Sequence, residues 1–600
     1  MADIYYVGLA ATMHDPAIAL VDQSGAVLFA EALERPLQDK RAWGQAPDHI
    51  AFSEQLLRRY CEPGSEIVIG VSWSRGLRDR LRLTALARLT GLRGTFGRVL
   101  ESSFARRDHL VWPTTRYASL IELLGVSLEQ ASANLGFLGY RHYPPRYFDH
   151  HLTHAAFACV ASPFDTALVA VVDGFGERAS TGFYRFDDGT LTSLSRPNAW
   201  YEPPASLGMF YAMICELCGF SPVAGEEWKV MGLAPLAQPD DELYDCLSPL
   251  LRVDGITLRQ GVPSPEYRRR TRRARTIAER LATPSGRDAS ASQGAGRASI
   301  AATGQRIFVE RMTELLNELH SRHGEGTDAL VLTGGCALNS ACNGGLLETT
   351  AFQRLSVPCA PADDGNAVGA AHLARLADMS GSRLTAGSST SPYLGSEASP
   401  RDLDRLTRYG STAFDISRGP TPRDVAALLA DGRVVGWMHG RAEFGPRALG
   451  NRSILADPRN PRMRDRINAE VKFREPFRPF APAILHEYGD VYFENYAYSP
   501  YMERALRFRP QVRDIVPAVV HADGTGRLQS VTETTAPALH ALLSAFNRMT
   551  GVPVLLNTSL NRMGKPIAHS VDDAVALFLG SALDVLIIDD VMLQKKSCST

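Results

Sequence analysis

"IYYVGLAATMHDPAIALVDQSGAVLFAEAL" fills residues 4–33, and its plan returns at residues 166–195 as "TALVAVVDGFGERASTGFYRFDDGTLTSLS". Each copy is an apolar run, a polar loop, a second apolar run, a tight turn ("DQSG" or "DDG") and a third run. Short apolar runs bounded by Gly, Asp and Pro are the signature of strands. Both copies therefore predict three strands joined by short turns. The first loop carries His14 and Asp15 in one copy, and Asp173, Gly174 and Gly176 in the other. Glycine lets backbone approach a phosphate closely, so two such copies predict an α/β duplication with a nucleotide in the cleft between its halves.

Around this duplication the composition sets limits. A chain of 600 residues, 45% of them hydrophobic, holds more than one core. A formal net charge of −1 excludes the global basic field of a dedicated nucleic-acid binder, so any anion site is local. The nine cysteines are odd in number and do not read as a disulfide framework. The first 30 residues include Asp3, His14, Asp15 and Asp22 without a basic start, and no apolar run reaches the ~20 residues that span a bilayer. The expectation is a soluble, cytoplasmic protein with no membrane association.

Further along, "ASIAATGQRIFVERMTELLNELHSRHG" (298–324) places Ile300, Ile307, Phe308, Met312, Leu315, Leu316 and Leu319 at helical spacing. It leads into "DALVLTGGCALN" (328–339), a buried strand turning on Gly334 and Gly335 into a helix. Upstream, the arginine run and Ser/Ala/Gly-rich tract of residues 266–297 reads as a solvated or mobile excursion. With Tyr267 its only aromatic, it offers no stacking platform for nucleic acid. A second composition change at 379–400 marks a boundary near Pro392, dividing the chain into residues 1–390 and 391–600. The second part alternates helices such as "TPRDVAALLADG" with strands such as "RVVGWMH" and "DVLIIDD", a mixed α/β domain. Ser570 and Asp573 form a candidate capping box.

Three groups of residues carry candidate chemistry. His150 and His154 in "DHHLTHAAFA" lie one helical turn apart, so their imidazoles project side by side. "APADDGNAVGAA" offers Asp363 or Asp364 as a third ligand, a set that leaves open positions and suits iron, zinc or manganese. Cys215 and Cys218 share an apolar helix and read as packing. Glycine turns at "DGFGE" (173), "MGLA" (231) and "TGGCALNSACNGG" (333) are candidate nucleotide contacts. "HGRAEFGPRALGNRSILADPRN" (439–460) sets Arg441, Arg447, Arg452 and Arg459 on bent backbone, joined by Lys472, Arg474 and Arg478, by Arg527, and by Asn557, Ser559 and Lys565. These basic groups lack the i, i+4 carboxylates of a solvated helix face and predict a pocket for phosphate or a carbamoyl-phosphate-like anion.

In order along the chain, "HDPAIAL", "DHHLTHAAFA", "VVDGFGE", "GEEWKVMGLAP", "TGGCALNSACNGG" and the blocks from "GRAEFGPRALGNR" to "LLNTSLNRMGKPI" resemble the O-carbamoyltransferases of the NodU/CmcH type, which include antibiotic-tailoring enzymes. The resemblance implies an actin-like, Kae1/TsaD-like duplicated domain (1–390) followed by a YrdC-like mixed α/β domain (391–600). It implies that carbamoyl phosphate and ATP, the latter with Mg, become carbamoyl adenylate in the second domain. The carbamoyl group then passes in the first to a hydroxyl of a small-molecule acceptor.

The same resemblance assigns His14, Lys40, Arg447 and Lys472 as catalytic. Arg447, Lys472, Arg478, Arg527, Asn557 and Ser559 then serve carbamoyl phosphate and nucleotide in the second domain. Asp173, Gly174, Gly176, Glu226, Lys229, Gly232, Gly334, Gly335 and Asn339 serve the nucleotide in the first. His150, His154 and Asp363 hold a divalent metal, iron before zinc or manganese. A threonylcarbamoyl-type transferase acting on tRNA or another macromolecule and a non-catalytic nucleotide-binding module are the alternatives.

Overall fold

The computed structural model describes residues 3–11, 14–48, 50–74, 135–177, 179–195, 205–283, 289–410 and 413–596, with backbone only at 50–52 and 289–293. The first quoted stretch forms β1 (Ile4–Ala10), β2 (Ala17–Val21) and β3 (Val27–Ala32), an antiparallel meander with nearly every residue buried. Burial on both faces explains why these runs are continuously apolar and do not alternate. β1 also pairs in parallel with β4 (Glu66–Ser72), and β4 carries the short β5 (Arg141–His142) and β6 (Arg146–Phe148).

The second copy repeats this plan. β7 (Thr166–Val172), β8 (Thr181–Asp187) and β9 (Thr190–Ser193) form the meander. Beyond a separate hairpin of β10 (Leu251–Asp254) and β11 (Thr257–Gln260), β12 (Ala329–Thr333) pairs β7 in parallel and carries β13 (Arg354–Ser356). Strand order is β3-β2-β1-β4-β5 in one sheet and β9-β8-β7-β12-β13 in the other. The helix Asn366–Asp378 lies across the first sheet and against the helix His150–Ala161. Its approach is close enough that a Cβ on Gly8 would lie 1.8 Å from the Ala367 carbonyl oxygen, and one on Gly369 1.9 Å from that of Thr153.

The third sheet is built from β14 (Phe414–Arg418), β15 (Val435–Met438), β16 (Arg452–Ala456), β17 (Ala481–Leu485), β20 (Gln529–Val531), β21 (Val554–Ser559), β22 (Val585–Ile588) and β23 (Val591–Lys595). Between β17 and β20, β18 (Ala505–Arg507) and β19 (Thr525–Arg527) make a hairpin. The third sheet's order, β14-β23-β22-β15-β16-β21-β17-β20, mixes parallel and antiparallel pairs and encloses a core of its own. The predicted capping box is present: Ser570 and Asp573 satisfy each other's backbone at the start of the helix Val571–Leu579.

The expectation of a solvated or mobile excursion at 266–297 holds for the exposed arginines and is corrected for the backbone, which is helical at both ends of the segment. Residues Ser264–Ala282 form a helix, and the following helix starts at Ala289, ahead of the predicted residue 298, and runs to His323. Ala274, Ile277 and Ala278 bury one face of the first, while Glu266 and Glu242 pair Arg270, Arg273 and Arg280 on its wet side. A buried stripe of small side chains holds the arginine-rich segment down, and the charges remain solvated. Residues 75–134 lie outside the described residues. Cys215 and Cys218 pack in the core as read, and all eight cysteines among the described residues are buried and unbridged. No helix among the described residues is long and apolar enough to cross a membrane.

Candidate functional site

Four side chains from three elements meet at the carboxyl ends of the second sheet's strands. Asp149 caps the helix His150–Ala161 by accepting from the Leu152 amide, which sets His150 and His154 one turn apart. Asp173 follows the last residue of β7, and Asp363 opens the tight turn Asp363–Gly365 before the helix Asn366–Asp378. All four are buried, and their ligand atoms lie within 4.8 Å of one another. His150 Nε2 stands 3.2 Å from Asp173 Oδ2 and 3.5 Å from Asp363 Oδ1, and His154 Nε2 stands 3.4 Å from Asp363 Oδ1. Burial alone would push the His150 imidazole down, but Asp363 and Asp173 more than offset it and hold it above its ordinary value. Burial would likewise raise Asp173, yet His150 and His154 keep that carboxylate far below the usual range. Two imidazoles and two carboxylates in this compass suit a divalent transition metal.

The cluster answers one open alternative and amends one assignment. Asp363 faces the histidines; Asp364 instead accepts from the Gly365 amide, and burial, with Asp15 and Glu34 nearby, raises its carboxyl to about 8. Asp173, expected among nucleotide contacts, joins the metal-type cluster through Oδ2 while its Oδ1 accepts from the Gly335 amide at 3.0 Å. The sequence reading missed that role because β7 and the histidine helix meet only through tertiary packing.

Other members of the expected nucleotide set take structural positions. Gly334 (φ 89°) passes so close to β7 that a Cβ would lie 2.4 Å from the Val172 carbonyl oxygen, and a Cβ on Gly176 would strike the His151 ring. The Gly174 carbonyl accepts from the Ser206 hydroxyl, which caps the helix Leu207–Leu217. Asn339 caps the helix Ser340–Thr349 and pairs its amide with that of Gln305. Glu226 and Glu475 hold Lys229, and Gly232 faces Phe477 and Pro479. Glu226, Lys229 and Gly232 thus belong to the junction with the C-terminal part.

His14 stands beside the metal-type cluster. Its Nδ1 is 3.8 Å from Asp363 Oδ2, 2.8 Å from Asp15 Oδ2 and 2.9 Å from Arg41 Nη2. Burial would raise the Asp15 carboxyl, but Arg41 and His14 hold it well below its ordinary value. Lys40, next in chain to Arg41, is exposed to solvent, yet the protein around it lowers its ammonium, as for a residue lining a recess. Its Nζ lies 5.7 Å from the Trp228 ring centroid, and the Arg478 guanidinium covers the same ring at 4.0 Å.

Beyond Trp228 the recess becomes strongly cationic. The chain enters it through a widened helical turn, Ile467–Lys472, and Phe473 then adopts left-handed backbone (φ 51°). This turns Phe473 outward and leaves Lys472 buried, its Nζ on the Ser559 carbonyl and hydroxyl and on Asn561. Arg447 donates to the Leu338 carbonyl at 3.1 Å, and Arg474 is held by Asn468 and packs over Phe480. Among the described residues, none of Arg447, Lys472, Arg474 and Arg527 forms an ion pair with a carboxylate, whereas Arg478 pairs with Glu475. Burial pulls Arg447 down to about 10, and burial with Arg478 pulls Arg474 down to about 9. Burial, then Arg447 and Arg474, lowers Arg527 further. Asn557 is buried on β21, donating to Gln529 and the Ala448 carbonyl, with its Oδ1 unpartnered.

The expectation that the whole 439–460 arginine set faces an anion is corrected. Arg441 spends its guanidinium on the carbonyls of Leu28, Leu394 and Gly395. Arg452, fully buried, donates to those of His439, Gly440, Asn451 and Ser396, and Arg459 chelates Asp457. Lys565 is exposed and donates to the Gln38 carbonyl. Arg447 alone of the four arginines remains with the pocket, which gains Arg474.

Residues 125–372 match the model of the carbamoyltransferase N-terminus, and residues 426–595 that of the carbamoyltransferase C-terminus. Nodulation protein NolO of Bradyrhizobium diazoefficiens is 36% identical over 464 residues, 75% of this chain and 79% of that protein. The chain belongs to the carbamoyltransferase family. An uncharacterized protein of Synechocystis sp. is 34% identical over 84% of this carbamoyltransferase and 85% of its own length. Nodulation protein NolNO of Sinorhizobium fredii is 35% identical over 76% of this chain, which spans 64% of that longer protein. In this carbamoyltransferase the two matched regions divide the site. The N-terminal match holds His150, His154, Asp173 and Asp363; the C-terminal match holds Arg447, Lys472, Arg474, Arg478, Arg527, Asn557 and Ser559. His14 and Lys40 precede both.

Proposed function

We propose that this carbamoyltransferase makes carbamoyl adenylate from carbamoyl phosphate and ATP in its C-terminal pocket and transfers the carbamoyl group to a small-molecule hydroxyl near His14. The carrying observation is the set of Arg447, Lys472, Arg474 and Arg527, four cations in one recess, none of which forms an ion pair with a carboxylate among the described residues. Desolvated cations without counter-ions are costly, and a polyphosphate substrate supplies the missing charge. The repeated strand order of the first two sheets supports an actin-like, Kae1-like first domain ending near residue 390, and the separately cored third sheet supports a YrdC-like second domain.

The chemistry balances in three steps. Water splits carbamoyl phosphate into carbamate and phosphate. A carbamate oxygen then attacks the α-phosphorus of Mg-bound ATP, and pyrophosphate departs. The acceptor hydroxyl finally attacks the carbamoyl carbon, the bond to AMP breaks, and the hydroxyl proton passes to His14. Arg447, Lys472 and Arg527 hold the charge that gathers on departing phosphate, in a recess where low polarity strengthens the attraction. Asp15 and Arg41 fix the His14 ring, as a general base requires. Lys40, Trp228 and Arg478 lie between the pocket and His14, which supports transfer away from bulk water. A divalent ion on His150, His154, Asp173 and Asp363, iron before zinc or manganese, would supply positive charge beside the nucleotide's phosphate.

The test is release of pyrophosphate from ATP that depends on carbamoyl phosphate, without any acceptor. Wild-type protein is expected to release it, and Arg447→Ala and Lys472→Ala are expected to lose it. If metal-replete wild type releases none, with or without a panel of hydroxyl compounds, the adenylate reading is wrong.

A further inference from the structure

Asn366, the first residue of the helix Asn366–Asp378, is fully buried against both histidines of the cluster. Its Nδ2 lies 3.4 Å from His150 Nδ1 and 3.2 Å from His154 Nε2, while its Oδ1 is buried with no hydrogen-bond partner. In this orientation the NH2 group occupies a lone pair on each ring. It keeps the His150 proton on Nε2, the nitrogen that faces Asp173 and Asp363. A neutral imidazole offering Nε2 to a cation must instead carry its proton on Nδ1, and that proton needs an acceptor. The stranded Oδ1 belongs to the same amide that already touches His150 Nδ1. A half-turn of the amide exchanges two groups of almost equal size, and side-chain amide orientation is assigned from just such hydrogen-bond bookkeeping.

We propose that Asn366 is a positioning residue for the metal centre: with its amide turned, Oδ1 accepts the His150 Nδ1 proton and holds Nε2 as a ligand. The same turn lifts the NH2 group from His154 Nε2, so one side chain readies both histidines. A buried amide with an orphaned oxygen in contact with two imidazoles is otherwise destabilising with no return. The inference rests on the reading of His150, His154, Asp173 and Asp363 as a divalent-ion site.

The experiment uses the full chain, stripped with chelator and titrated with Co2+ and Zn2+ against a competing chelator. The cobalt absorption spectrum is recorded alongside, and Tm checks folding. Asn366→Leu, with the same branching at Cγ but without an acceptor, is expected to weaken both ions by about 10–100-fold and to change the cobalt bands. Asn366→Asp keeps an acceptor at the same place and is expected to restore the affinity and the wild-type bands. Wild-type affinity and spectrum in Asn366→Leu would overturn the proposal, as would a folded Asn366→Asp as weak as the leucine variant. Wild-type protein that binds neither ion, or binds them unchanged after His154→Ala, would overturn the metal reading and the proposal with it.

Discussion

At the scale of single residues, charge of one kind does two different jobs in this molecule, and the surroundings decide which. Arg452 is surrounded by carbonyl oxygens and is part of the architecture; Arg447, five residues earlier in the same loop, donates to one carbonyl and pairs with no carboxylate among the described residues. Removing each therefore has opposite consequences. Arg447→Met is expected to abolish pyrophosphate release while leaving Tm equal or higher, because an uncompensated desolvated charge is gone. Arg452→Ala is expected to cost about 3–5 kcal/mol, since it strands several buried carbonyls, and thermal unfolding will register it. A Tm loss in Arg447→Met as large as in Arg452→Ala would put Arg447 in the architecture as well. Two buried aspartates make a second contrast. Asp173→Asn removes a carboxylate oxygen from the cluster and is expected to weaken cation binding at least about 10-fold. Asp364→Asn, at a side chain turned to the Gly365 amide, is expected to change it little. Equal losses by metal titration would reassign Asp364.

At the scale of elements, the helix Asn366–Asp378 joins the cluster to the first sheet. Its first turn touches the histidines through Asn366, and its middle lies against β1, β2 and β4. His372 sits in that packed middle, 2% exposed, with Nε2 unpartnered. Burial, reinforced by Arg375, lowers its imidazole to about 4. The unfolded chain takes up the proton near pH 6.5, whereas the folded chain resists until about pH 4. Between those values the unfolded state binds more protons, so stability is full above pH 6.5 and declines as pH falls toward 4, by up to about 3 kcal/mol. His372→Met is expected to flatten that decline, measured as the Tm difference between pH 7 and pH 4.5. An unchanged difference would show that His372 protonates equally in both states.

At the scale of the whole molecule, the N-terminal and C-terminal parts interlock. Asn343 donates to the Glu503 carbonyl, Arg504 to that of Leu355, and Arg35 to that of Gly445. A Cβ on Gly344 would lie 2.0 Å from the Ala505 carbonyl oxygen, so contact there is backbone to backbone. Lys229 and Glu475 pair across the same junction, beside Trp228 and Arg478. On the proposed reaction, Gly344→Ala is expected to prise the parts apart enough to leak the activated carbamoyl group. Pyrophosphate release then continues, while carbamoylated acceptor formed per pyrophosphate falls several-fold. A ratio equal to wild type would mean that the junction is not needed to guard the intermediate.

The strands, the duplication, the capping box at Ser570 and the one-turn spacing of His150 and His154 were legible in the sequence, because each depends on residues near one another along the chain. The repeated apolar meander at residues 4–33 and 166–195 predicted both sheets' first three strands, and helical spacing placed the long helix that ends at His323. Only the tertiary structure decided which acid joins the histidines, which arginine of residues 439–460 is left with a single carbonyl partner, and which glycines are there for packing. Those outcomes depend on where β7, the turn at Asp363 and the loop at Phe473 meet. A side chain's charge is written in its residue type, but its partner is supplied by whatever the fold brings within hydrogen-bonding reach.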